Sequence, residues 1–247
     1  VMELLVFATG TSSENPRAEL YSFGTGKREL IGETRLDSTI TSFESIKYAK
    51  TDEGTSIYAD ALCADGSSMV TEFIYWSDYY NSIISPFYSY STGRTKETLR
   101  SSQVTCRDID DDGYIEIPED TSSKKQSSEI TSQNWVNYGN TVLSHKCYSF
   151  SCKRDGYILV IDDDDFSKVK ANYDSESRKL TIIDKKNKSN VFEIVTLINS
   201  NYSVNDPKYK DYTMIMKNSG FVYLAKVNKS SDIDINIQTL KDMIKVY

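Results

Sequence analysis

The sequence contains a single histidine, His145, among 247 residues. A metal site with two or more histidine ligands is therefore impossible within one chain. Any Ser-His-Asp or Cys-His arrangement would have to use His145. That residue sits in Leu143-Ser144-His145-Lys146, which reads as an exposed strand edge with no evident Cys or Asp partner. The expectation is a non-enzyme, although carboxylate-only chemistry such as glycoside hydrolysis survives the exclusion. Long hydrophobic runs are also missing, and none approaches the roughly 20 residues of a bilayer span. The chain opens inside a strand-like run, Val1-Met2-Glu3-Leu4-Leu5-Val6-Phe7, without the pattern of a targeting signal. We expect that Val1 does not start the gene product, and that any export signal or lipid anchor lies in the missing N-terminus. Excess positive charge is absent too: Lys+Arg is 29 against Asp+Glu 36, a net charge of −7. An acidic surface repels phosphate backbones and anionic lipid, which argues against nucleic-acid or membrane-surface partners.

Four cysteines occur, and no pair has the two-residue spacing of a zinc or redox motif. Two readings stand. Cys147 with Cys152, and Cys63 with Cys106, form disulfides suited to an exported protein, or all four are buried thiols.

At 38% hydrophobic and 12% aromatic, the composition supports a packed core. Strand signals dominate. Thr55–Leu62 and Met69–Trp76 read as a hairpin turning at Asp65-Gly66. Val70, Ile74 and Trp76 share one face of the second strand, and Met69, Phe73 and Tyr75 the other, so that strand should be covered on both sides. Leu20–Phe23, Glu29–Ile31 and Phe43–Tyr48 read as further strands. The polar tract within Glu119–Gln133 reads as a linker. This gives a β module over 1–118, a linker over 119–133 and a second domain over 134–247. In the second domain, strands are expected at Tyr157–Ile161, Lys168–Tyr173, Lys179–Asp184, Val191–Ile198, Tyr212–Lys217 and Phe221–Val227. A C-terminal helix should carry Ile237, Leu240, Ile244 and Tyr247 on one face, capped by Asp234 or Asn236. The fold class is therefore mainly β: an antiparallel β module followed by an α+β domain, an antiparallel sheet with a C-terminal helix.

Residues 108–119 read Asp-Ile-Asp-Asp-Asp-Gly-Tyr-Ile-Glu-Ile-Pro-Glu. Carboxylates at Asp108, Asp110 and Asp112 alternate, Gly113 stands where the chain must turn sharply, and Tyr114 can offer its backbone carbonyl. This is a calcium-loop pattern, because alternate residues on a tight loop converge their oxygens on one point. The flanks are β-like and Pro118 obstructs an exit helix. The loop should therefore link strands, with Glu116 a better ligand than Glu119. The other acidic run, Asp162–Asp165, does not alternate and reads as a solvated turn or helix N-terminus rather than a second site.

Cys106-Arg107-Asp108 through Ile117-Pro118 resembles the D-x-[ND]-x-D-G-x-x-[DE]-[IL] strand-linking loop of FG-GAP/VCBS-type β-propeller repeats. More narrowly it is similar to exported lipoproteins of low-GC Gram-positive bacteria that carry such repeats. Glu3-Leu4-Leu5-Val6 resembles the strand after a repeat's acidic loop, and Ala18–Phe23 the strand after that. The resemblance covers roughly residues 1–161, most specifically 104–118, and residues 155–247 resemble the C-terminal domain of the same lipoproteins more diffusely. It implies a partial or propeller-like module, since about 120 residues cannot close four or more blades. It also implies a structural Ca2+ held by Asp108, Asp110, Asp112 and Glu116, and an extracellular or cell-surface location.

Aromatics crowd between Phe73 and Tyr90. Trp76, Tyr79, Tyr80 and Tyr88, beside Asp78 and Asn81, form a candidate face for a sugar ring or a protein partner. The leading expectation is a non-catalytic binding or scaffold region braced by calcium. The alternative is a carbohydrate-binding or carbohydrate-active module using these aromatics.

Overall fold

The computed structural model describes residues 2–247 except Ser12, Thr25, 52–53, 122–128, 140–141, 204–205 and 229–232. The fold is mainly β, 56% strand and 9% helical, built from antiparallel sheets of which none closes on itself among the described residues. No helix among the described residues is long and apolar enough to cross a membrane.

Strands β1 (Glu3–Ala8), β2 (Arg17–Ser22) and β3 (Glu29–Arg35) form a three-stranded antiparallel meander. A four-stranded meander follows: β4 (Ile40–Thr51), β5 (Gly54–Cys63), β6 (Met69–Ser77) and β7 (Ser82–Ile84). The β5–β6 turn forms where Asp65-Gly66 predicts it. Gly66 takes φ 68°, and the Asp65 carboxylate accepts from the Ser67 and Ser68 amides at 2.8 and 2.7 Å. A miniature hairpin, β8 (Tyr88–Ser89) with β9 (Arg94–Thr95), comes next. Then come β10 (Ile117–Asp120), β11 (Ile130–Gly139), β12 (Val142–Cys152) and β13 (Tyr157–Ile161), adjacent in that order in one sheet. After a short helical turn, α1 (Asp163–Phe166), the chain forms β14 (Val169–Asp174), β15 (Lys179–Asp184), β16 (Asn190–Ile198), β17 (Thr213–Lys217) and β18 (Phe221–Val227), ordered β14-β15-β16-β18-β17. It ends with α2 (Ile237–Met243) and β19 (Ile244–Val246), which pairs with β13.

The chain divides into two compact units. One comprises Val1–Thr121 with Asn134–Lys146, the other Ser122–Gln133 with Cys147–Tyr247. In the first unit β6 is covered on both faces. Val70 and Ile74 belong to a core with Leu36, Ile40, Ala61 and Ile83. Phe73 belongs to another with Tyr58, Cys106, Ile117, Val136 and Tyr138. Burying a side chain such as Phe73 or Ile74 stabilises by about 1.5–3 kcal/mol.

The irregular segment after β7 is held down by buried acidic side chains on both faces of that sheet. On one face Glu72, fully buried, accepts from the Asp37 amide (2.7 Å), Ser85 Oγ (2.8 Å) and Thr95 Oγ1 (3.0 Å). Asp37 in turn accepts from Arg94 Nε at 2.9 Å and the Thr95 amide at 2.8 Å. On the other face Asp60 accepts from Arg100 Nη2 (2.8 Å), Thr71 Oγ1 (2.7 Å) and the Cys106 amide (2.9 Å). Buried acids are tolerated when hydrogen-bonded in this way, and Asp37 and Asp60 are paired with arginines as well.

The second unit buries Tyr157, Leu159, Leu180, Ile182, Phe192, Ile194, Tyr223, Leu240 and Ile244 in one core. Its buried acid, Asp155, is held by Arg178 Nη2 at 2.6 Å and Tyr173 OH at 2.8 Å. Asn236 caps α2, accepting from the Gln238 and Thr239 amides at 2.8 and 3.0 Å.

Three expectations change, and one open alternative is decided. The C-terminal helix is shorter than its apolar period. Ile244 leaves the helix with φ −88° and ψ 124°, because the β-branched residues Ile244 and Val246 pair with the edge of β13. The stretch expected as a linker holds strand residues at both ends, in β10 and β11, while its polar centre, 122–128, lies outside the described residues. Residues 134–146, expected with the C-terminal domain, group with the first unit. Of the two cysteine readings the structure has the thiols, buried at Cys63, Cys106 and Cys152 and half-buried at Cys147. Cys147 and Cys152 are five residues apart on β12, about 16 Å along a strand and on opposite faces, too far for a bridge. Cys63 and Cys106 lie in separate cores on the two sides of the sheet.

Candidate metal centre

The acidic loop is closed at its base by an antiparallel bridge between Arg107 and Glu116, with amide-to-carbonyl distances of 3.1 and 2.9 Å. It leads into a strand rather than a helix, and Pro118 lies in that strand at the edge of its sheet, where a missing amide is tolerated. Two left-handed residues tighten it, Asp111 at φ 63° and Gly113 at φ 91°. Asp108 ties the turn internally, accepting from the Asp112 amide at 3.0 Å and the Gly113 amide at 2.9 Å. That folding brings oxygens of Asp108, Asp110 and Glu116 within 4.8 Å of one another.

Glu116 is the centre of the arrangement. It is fully buried. The Ile109 amide donates to its Oε2 at 3.0 Å, while Oε1 is buried without a hydrogen-bond partner. Burial pushes its carboxyl up to about 7 against the Ile109 amide, with Asp110, Asp112 and Asp108 adding repulsion. A buried carboxylate facing two others, with one oxygen unsatisfied, is an arrangement a bound cation would complete. The donors are all hard oxygens, which suits Ca2+ rather than a thiolate- or imidazole-seeking metal.

Asp112 stands apart from the three converging carboxylates. Its Oδ1 accepts from the Tyr114 amide at 2.9 Å, and its Oδ2 lies 2.5 Å from Lys146 Nζ. The same ammonium is 3.1 Å from Asp110 Oδ2. Lys146 holds the Asp112 carboxyl below its usual range, and the two aspartates raise Lys146 in turn. Tyr114 is exposed at the loop tip. Glu119 lies on β10, where Asn134 Nδ2 donates to it at 2.9 Å, and it is not among the converging carboxylates. Lys146 was not visible as a loop partner in the sequence, because it lies 34 residues from Asp112 and nothing local marks it.

The aromatic cluster divides. Tyr79 and Tyr80 sit at the tip of the β6–β7 hairpin, 88% and 65% exposed, with ring centroids 4.8 Å apart and edge-on. Asn81 closes this turn at φ 47°. Trp76 is half-buried against the core below, with Nε1 donating to Asp78 at 3.0 Å. Tyr88 is buried beneath Tyr90 and offers no open ring face, so the platform reduces to Trp76, Tyr79 and Tyr80. A separate polar groove of about 580 Å³ is lined by Glu14, Arg17, Glu33, Arg35 and Tyr90. Its Arg17 is occupied by Glu14 at 2.9 Å and Glu19 at 2.6 Å. His145 is exposed on β12 and hydrogen-bonds to Asn134. Asp163–Asp165 form the first turn of α1 behind Asp162, as their spacing predicts.

Comparison with protein-family models gave no match, and a search of curated proteins found no similar one.

Proposed function

We propose that this chain is a non-catalytic region of an exported, cell-surface protein, in which a calcium ion braces the Asp108–Glu116 loop of a propeller-like β module. Its role is to bind or scaffold a protein or glycan partner. The observation that carries the reading is the convergence of Asp108, Asp110 and Glu116, together with a buried Glu116 oxygen that lacks a hydrogen-bond partner. The loop pattern supports likeness to FG-GAP/VCBS repeats, and the successive antiparallel meanders suit a partial propeller. Asp108, Asp110 and Glu116 supply carboxylates, Tyr114 its carbonyl, and Asp112 joins once it turns from Lys146. The ion closes the loop by neutralising four acids that otherwise repel.

Calcium should raise the melting temperature of the wild-type chain, and Asp110→Ala should remove that rise. A melting curve indifferent to excess calcium and to chelator would sink the reading.

The exposed Tyr79–Tyr80 pair favours a second reading, a carbohydrate-binding module that stacks a sugar ring at the hairpin tip. A glycan array probed with the wild-type chain and with the double Tyr79→Ala, Tyr80→Ala variant tests it.

A further inference from the structure

We propose that Lys146 is a resident counter-cation of the acidic loop and sets the calcium concentration at which the loop fills. This rests on the calcium reading above. The Lys146 ammonium bridges Asp110 Oδ2 at 3.1 Å and Asp112 Oδ2 at 2.5 Å. Asp110 is one of the three converging carboxylates. Asp112 occupies the alternating position that the loop pattern assigns to a ligand, yet its oxygens are committed to Lys146 and the Tyr114 amide. One side chain from β12 thus occupies the oxygens of two loop residues.

A dication entering the loop meets that positive charge at close range. The carboxylates cannot serve both cations fully, because each oxygen has a limited number of lone pairs. Calcium must therefore draw Asp110 and Asp112 away from Lys146, and the ammonium must move into solvent. The side chain is 29% exposed, so the exit is open. The competition weakens binding relative to the same loop without the lysine. Loops of this ligand type span affinities from nanomolar to millimolar according to charge count. A built-in cation moves this one toward the weak end, which suits the high calcium outside cells.

The test is calorimetric titration of calcium chloride into the chelator-treated full chain, as wild type, Lys146→Met and Lys146→Gln. Both variants should bind roughly tenfold more tightly, from the loss of one nearby positive charge in a water-exposed setting. Binding by the variants alone would also support the proposal. Equal or weaker binding by both variants, with the wild type binding, would overturn it and leave the calcium reading intact. No binding by any of the three would remove both.

A second measurement needs no variant. Acetic anhydride labelling of the wild type, read by peptide mass spectrometry, should modify Lys146 faster in saturating calcium than in chelator. An unchanged rate in a chain that binds calcium would overturn the proposal.

Discussion

Arg100 donates from Nη2 to Oδ1 of Asp60 across 2.8 Å, and neither side chain is exposed. Three further donors of Arg100 reach the Val104 carbonyl at 2.9 Å, the Thr98 carbonyl at 3.1 Å and Thr71 Oγ1 at 2.9 Å. The pair thereby staples residues 98–106, which have no long strand of their own, onto β5 and β6. Arg100→Met should cost about 3–5 kcal/mol in urea unfolding, because it leaves Asp60 charged and unpaired. Adding Asp60→Leu should recover part of the loss. A cost below about 1 kcal/mol would contradict the buried pairing.

Glu72 makes stability depend on pH. Burial pushes its carboxyl from 4.5 to about 7, against the Asp37 amide, Ser85 and Thr95. Neighbouring Asp37 behaves oppositely. Burial acts to raise it, but Thr39, Arg94 and two backbone amides outweigh that and hold it low. A carboxyl raised in the folded state binds its proton there while the unfolded chain has lost it. Glu72 should therefore favour folding below pH 4.5, and that contribution should fade as pH rises to about 7. The change is on the order of 3 kcal/mol. Glu72→Gln should flatten that limb of the stability profile in denaturant unfolding at a series of pH values. An unchanged slope would count against it.

Glu116→Gln separates stability from ion binding. The glutamine keeps an acceptor for the Ile109 amide and removes a buried charge that faces three aspartates. Without calcium the variant should be more stable by about 1–2 kcal/mol. Its melting temperature should no longer respond to calcium. A destabilised, calcium-responsive variant would refute the role given to this side chain.

The double variant Tyr79→Ala, Tyr80→Ala should unfold within about 0.5 kcal/mol of wild type, because both rings stand in solvent. A loss above 2 kcal/mol in chemical denaturation would show that the pair stabilises the hairpin instead.

What the sequence disclosed was local. Asp108, Asp110 and Glu116 follow from spacing alone, since a tight turn brings alternate residues together whatever surrounds it. Tyr157–Ile161, Lys179–Asp184 and Phe221–Val227 were legible to the residue, because each is a β-rich run bounded by turn residues. Lys146, Glu72 and Arg100 were not, since their partners come from distant segments and a charged residue in a strand looks solvated until the other layer is placed. The β11–β12 hairpin was obscured by the polar tract before it and by Asn134 and Asn137 within it. Gly139-Asn140, between two β-rich runs, was the signal available.

The chain changes unit after Thr121, after Gln133 and after Lys146. A single crossover in the gene therefore cannot exchange one unit for a foreign one. Wherever the join fell, the recombinant would leave behind either Val136 and Tyr138 of the first core or Ile130 of the second. Exchanging either unit whole would need joins at all three places at once, so variation is expected to reach them by substitution and loop insertion rather than by shuffling.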